Sequence, residues 1–158
     1  MCRSMCISEG AAEGPHRPAA TESTVSEVEF SADRLRFFIE PDPALHVLQV
    51  RAQGDLTANN VLQITRRIRE FASKYDCTRV LCDYVQTRVA ASILSIYENP
   101  ACMEKEGLTR NMRFAVWYER DEKKHRFWET VLRNRGYMAR GFRSRQDAVR
   151  WLLDARRY

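Results

Sequence analysis

The sequence predicts an α/β fold: a mixed, mostly parallel sheet of about five strands, opened by an N-terminal β-hairpin and packed with four to five helices. Three observations carry this expectation. Short runs rich in β-branched and aromatic residues alternate with longer segments whose apolar residues recur at helical spacing. The first two apolar runs are separated only by a proline-containing turn. The third, Val80-Leu81-Cys82, is continuous rather than alternating, as in a strand covered on both faces. With 158 residues, 44% hydrophobic and 30% charged, the chain has enough apolar material for one core.

Residues 1–26 are rich in Ala, Ser, Thr, Glu, Gly and Pro and nearly lack large apolar side chains. Such a segment cannot bury enough surface to offset its ordering entropy, so it reads as a disordered tail ahead of a single domain at 27–158. Arg34–Glu40 and Leu45–Gln53 read as strands, with Pro41-Asp42-Pro43-Ala44 as their turn and Gly54-Asp55 as the stop. Thr57 is a good N-cap for the next segment. There Val61, Ile64, Ile68, Phe71, Ala72 and Tyr75 share one helical face, which reads as core. Thr78–Tyr84 is the covered strand.

Ala90–Glu106 reads as helical, with Ser92 near its start, and Pro100 is expected to divide it into a longer and a shorter piece. Asn111–Tyr118 is an apolar strand. Lys123–Arg135 is a helix with Phe127, Trp128, Val131 and Leu132 inward and Gly136 as its stop. After a short strand at Tyr137–Phe142, Ser144-Arg145-Gln146-Asp147 resembles a capping box and opens the last helix, where Ala148, Trp151, Leu152 and Ala155 recur. Strands alternating with helices imply parallel neighbours joined by right-handed crossovers.

The five cysteines are odd in number and the chain is neither short nor loop-rich, which fits a reducing compartment better than a disulfide framework. No run approaches the roughly 18 apolar residues of a membrane span. The N-terminus lacks a signal-peptide profile. A soluble, cytoplasmic protein that is not an integral membrane protein is expected. Charge is uneven: residues 110–158 hold 14 Lys+Arg against 6 Asp+Glu, a net of +8, and residues 1–109 hold 12 against 15, a net of −3. The basic end either solvates two amphipathic helices or attracts phosphates and anionic lipid. In the second case Arg140, Arg143 and Arg145, with Arg133, Arg135 and Arg150, are the anion-binding candidates for nucleic acid or an anionic membrane surface.

Catalytic groupings are scarce. His16, His46 and His125 are far apart, and Cys2, Cys6 and His16 match no zinc spacing, so no metal is expected. There is no nucleophile elbow, no dinucleotide-binding glycine motif and no P-loop, so no cofactor is expected either. Asp83 is expected at the C-terminal end of a parallel strand, where open α/β sheets place ligands. With Tyr84, Thr87 and Arg88 it forms a candidate polar cluster, read as a partner- or ligand-binding site or, less favoured, as the site of a small enzyme. Asp83 could equally bond its own backbone.

The segment order, together with Gly54-Asp55-Leu56-Thr57, Arg79 to Tyr84, Phe114-Ala115-Val116, and Arg135-Gly136-Tyr137 through Phe142 and Ala148 to Trp151-Leu152-Leu153, resembles the STAS superfamily in its SpoIIAA-like branch. The likeness covers about residues 28–155. It implies a compact, usually non-catalytic regulatory module that contacts a protein partner, with a small apolar or lipid-like ligand as a further expectation. Anti-sigma factor antagonists of this superfamily carry a phosphorylatable serine, after an Asp, at the start of the helix that follows the central strand. Here Ser92 lies close to that position and Ala91 replaces the Asp, so the resemblance makes Ser92 a candidate phosphosite and part of the working surface at 83–92. The oligomeric state stays open, a homodimer included.

Overall fold

The computed structural model of the protein describes residues 26–30 and 34–154. The disordered-tail expectation for the first residues falls outside them, except that Ser26 already begins a strand. The sheet has six strands rather than about five, in the spatial order of the sequence. The additional strand is β1 (Ser26–Phe30), which pairs antiparallel with β2 (Leu35–Asp42) at the sheet edge. Its apolar content, Val28 and Phe30 alone, is too small to stand out as a strand in sequence.

β2 and β3 (Val47–Leu56) form the expected antiparallel hairpin, with Ile39 opposite Val50. The turn is held by Asp42, whose carboxylate accepts from the Leu45 amide at 3.1 Å and from the Gln49 side chain at 2.9 Å. His46 lies in this turn, with φ of 52°, and not in the strand. β3 also runs through Gly54 to Leu56 instead of stopping there. Gly54 has φ of 113°, and a Cβ on it would lie 2.1 Å from the Arg34 carbonyl oxygen. The glycine permits close approach of two backbones; it does not end the strand.

α1 (Ala58–Lys74) opens on a reciprocal cap. Thr57 Oγ1 accepts from the Asn60 amide and Asn60 Oδ1 accepts from the Thr57 amide at 2.9 Å. The remaining Asn60 donor reaches the Asp55 carbonyl at 2.7 Å, which accounts for a fully buried asparagine. β4 (Arg79–Val89) follows, then α2 (Ile93–Lys105), β5 (Arg113–Trp117), α3 (Glu122–Asn134), β6 (Met138–Phe142) and α4 (Arg145–Leu153). β3 to β6 are mutually parallel. Pro100 does not divide α2: the helix is continuous and the proline ring is buried. Proline forfeits only its own bond to the Ile96 carbonyl, and the helical turns on either side persist.

Successive right-handed crossovers that step one strand at a time in one direction place their helices on one face. The core agrees. Ile64, Ile68, Phe71, Met103 and Leu132, from α1, α2 and α3, pack with Phe37, Val50, Val80, Phe114 and Val116 of the sheet. The opposite face carries a smaller cluster in which Ala148 and Leu152 of α4 cover Val47, Leu81 and Ala115. Arg113, at the start of β5, is buried and spans to this second layer. Its guanidinium donates to the Trp151 and Asp154 carbonyls, both at 2.7 Å, and stacks 4.6 Å from the Trp151 ring centroid.

Candidate functional site

β4 carries a bulge. Arg51 lies opposite Asp83 but Gln53 lies opposite Gln86, so three steps on β4 match two on β3. The backbone groups this frees are taken locally: the Val85 amide donates to Asp83 Oδ1 at 3.3 Å and Thr87 Oγ1 donates to the Tyr84 carbonyl at 2.7 Å. The extra residue changes which side chains share a face. Tyr84 and Val89 both line one cavity although they are an odd number of residues apart, a placement that an unbroken strand forbids.

The strand's alternation and its bulge separate the residues expected to cluster. β4 runs on to Val89, past the expected strand end at Tyr84. Asp83 points to the α4 side, 3.5 Å from Arg51, beside a shallow depression shared with Arg145 and Glu40. Tyr84 faces the α1 side. Thr87 is buried. Arg88 is exposed and paired with Asp55 through two contacts, Nε to Oδ1 at 3.0 Å and Nη2 to Oδ2 at 2.7 Å, and this guanidinium holds the Asp55 carboxyl below its ordinary range. Ser92 is the exposed N-cap of α2, accepting from the Ser95 amide at 3.1 Å.

Five of the six basic candidates are likewise individually engaged. Arg140 stacks over Phe142, Arg143 donates to the Glu119 carbonyl and covers Tyr118, and Arg145 reaches Gln49. Arg133 and Arg150 pair with Glu129 and Asp147 on their own helices.

Sequence reasoning missed the main concavity. A cavity of about 330 Å³ lies between α1, α2 and α3 on the helix-covered face of the sheet. Cys82, Tyr84, Phe114 and Val116 form its floor. α1 contributes Val61, Ile64 and Ile68, part of the stripe read as core, and α2 contributes Ile96, Cys102 and Met103. The floor is uncharged: burial pushes the Cys82 thiol up to about 12 and the Tyr84 phenol well above its usual value.

Polar groups gather at one end. Lys124 and His125, in the first turn of α3, line the cavity with Ser95 and Asn99. Asp121 takes the left-handed conformation at φ of 56° and accepts from the Val89 amide at 2.7 Å. Lys124 Nζ donates to the Val89 carbonyl at 2.6 Å and the Ala91 carbonyl at 3.2 Å. Together they fasten the start of α3 to the end of β4. His125 stacks on Tyr118 with 4.4 Å between ring centroids, and burial lowers its pKa to about 4, so the ring is neutral near pH 7. Trp128 Nε1 donates to Asn99 at 3.2 Å and ties α3 to α2.

The outer side of α2 is apolar and exposed. Ile93, Leu94 and Tyr97 are 54%, 64% and 52% accessible, three of four large hydrophobics so exposed among the described residues. They follow Ser92 directly, while Ile96 between them turns into the cavity. The run Ser92-Ile93-Leu94-Ser95-Ile96-Tyr97 has more apolar residues than one buried stripe uses, which was the available signal.

The topology has counterparts among solved structures. An anti-sigma factor antagonist from Mycobacterium paratuberculosis superposes with a TM-score of 0.55 at 14% identity, covering 78% of this chain and 98% of that one. This is a STAS-like fold. An uncharacterized protein with a SpoIIAA-like fold from Shewanella loihica gives a TM-score of 0.44 at 18% identity, over 90% of this chain and 99% of the other. No family model matches the sequence, and no curated protein matches it. No helix among the described residues is long and apolar enough to cross a membrane. No group of three or more His, Cys, Asp or Glu side chains among them is placed to hold a metal ion.

Proposed function

We propose that this STAS-like domain is a non-catalytic regulatory module that docks a protein partner on the N-terminal half of α2. The observation that carries the reading is the exposed triplet Ile93, Leu94 and Tyr97 beside the Ser92 cap. Large apolar side chains clustered on one helix turn cost solvation unless a partner covers them, and aromatic residues of this kind anchor protein interfaces. The fold likeness to an anti-sigma factor antagonist supports a regulatory protein as that partner. Ser92 has the geometry of a switch. Its hydroxyl is exposed at a helix N-terminus, where a phosphate would be accommodated by the amides and would place charge on the edge of an apolar contact. The cavity beneath α2 supports a small apolar ligand as a further part of this reading.

The test is recovery of a partner by the full chain against the variant carrying Ile93→Ser, Leu94→Ser and Tyr97→Ser. The reading expects a discrete partner lost in the variant while the melting temperature is kept. Equal recovery by both chains, or association of the chain only with itself through this face, would contradict it.

A further inference from the structure

The cavity is asymmetric along its length. Its deep end is closed by Ile68, Met103 and Leu108, all apolar and buried. Its other end holds Lys124, half-buried, with Ser95 beside it. An ammonium has three donors, and two of them are spent on the neutral carbonyls of Val89 and Ala91. Among the described residues Lys124 makes no ion pair; the neighbouring Asp121 carboxylate is bonded to the Val89 amide, and Glu98, which lines the cavity one turn after Ser95 but is exposed, makes no ion pair with it. A partly desolvated positive charge thus stands at the head of an apolar cavity with a hydrogen-bond donor uncommitted. His125 beside it is neutral and adds no second charge.

We propose that the cavity binds a single-chain amphiphile with a carboxylate head, its chain along the apolar interior and its head on Lys124 and Ser95. The volume of about 330 Å³ falls at the lower end of ordinary small-molecule pockets, roughly 300–1,000 Å³, and suits one medium-length chain rather than a two-chain membrane lipid. A cationic head would meet Lys124 as a like charge, and an uncharged head would leave its charge unpaired. This deepens the small-ligand part of the proposed function and is independent of whether a partner docks on the outer face of α2.

The experiment titrates the full chain with decanoate, decanol and decyltrimethylammonium, read by the fluorescence of Trp128 in the cavity wall and by calorimetry. Decanoate is expected to bind about tenfold or more tightly than decanol, the difference one charge-assisted hydrogen bond makes, with the ammonium weakest. Lys124→Gln should bring decanoate to the level of decanol. Cys102→Phe, which fills the cavity from α2, should abolish both. If Lys124→Gln fails to fold, the order of the three probes on the unmodified chain decides. Equal binding of all three, or tightest binding of the ammonium, overturns the head-group assignment. Binding of none overturns the cavity as a ligand site, and neither result touches docking on Ile93, Leu94 and Tyr97.

Discussion

Several individual side chains hold this fold in ways that a substitution can expose. His125 is buried against Tyr118, and its pKa falls from 6.5 to about 4 chiefly through desolvation. The unfolded chain therefore takes up a proton on it below about pH 6.5, whereas the native state does so only near pH 4. Its contribution is complete above the unfolded value and is lost as pH falls between the two. Urea midpoints at pH 7 and pH 5 should show less acid loss for His125→Phe, which keeps the stack without the titration. Arg113 is the sole cation on its strand, in a segment the sequence presents as plainly apolar. Arg113→Met should cost about 2–4 kcal/mol in chemical denaturation, because the Trp151 and Asp154 carbonyls lose their donors. Gly54→Ala should cost about 2–3 kcal/mol, since the added methyl meets the Arg34 carbonyl at positive φ. Neither Arg113 nor Gly54 was legible as such. A buried arginine bonding a distant helix terminus has no local pattern, and a glycine at a close backbone approach looks in sequence like a strand end.

At the scale of elements, periodicity and caps revealed most of what there was to find. Thr57 and Ser144 mark helix starts through the same side-chain-to-amide bond, and the apolar stripe of α1 faces the sheet as its spacing requires. What stayed hidden depends on register between strands. The bulge in β4 cannot be seen without β3, and it sends Tyr84 and Val89 to the same face although they are an odd number of residues apart. The candidate cluster at residues 83–88 presumes a strand that ends at Tyr84; β4 runs on to Val89, and strand geometry parts these side chains. α2 behaves differently from the other helices because its apolar residues exceed its buried face. Ser92→Ala should cost about 1 kcal/mol of stability through the lost cap, and Ser92→Asp should largely restore it while weakening partner recovery. Melting curves with binding measured alongside separate the two effects. Replacing Ile93, Leu94 and Tyr97 together by serine should change stability by less than about 1 kcal/mol, as for exposed sites.

For the molecule as a whole, the sequential strand order settles where the cavity sits. Three crossover helices crowd one face and a single helix covers the other, so the larger concavity forms among α1, α2 and α3. α2 divides that volume from solvent, with Ile96 on the cavity side and Leu94 outside. The β-α alternation made this architecture readable from sequence, while the empty space between helices was not, since residues lining a cavity and residues filling a core obey the same spacing. The central claim is that the outer face of α2 is where a partner docks. It is tested most directly by placing a photo-crosslinking residue at Leu94 and, as control, at the exposed Arg150 of α4, then irradiating the chain in its own cells. The account predicts one discrete adduct to another protein from position 94 and none from position 150. Adducts of equal yield from both positions, or an adduct from 94 only to a second copy of the chain, would contradict it.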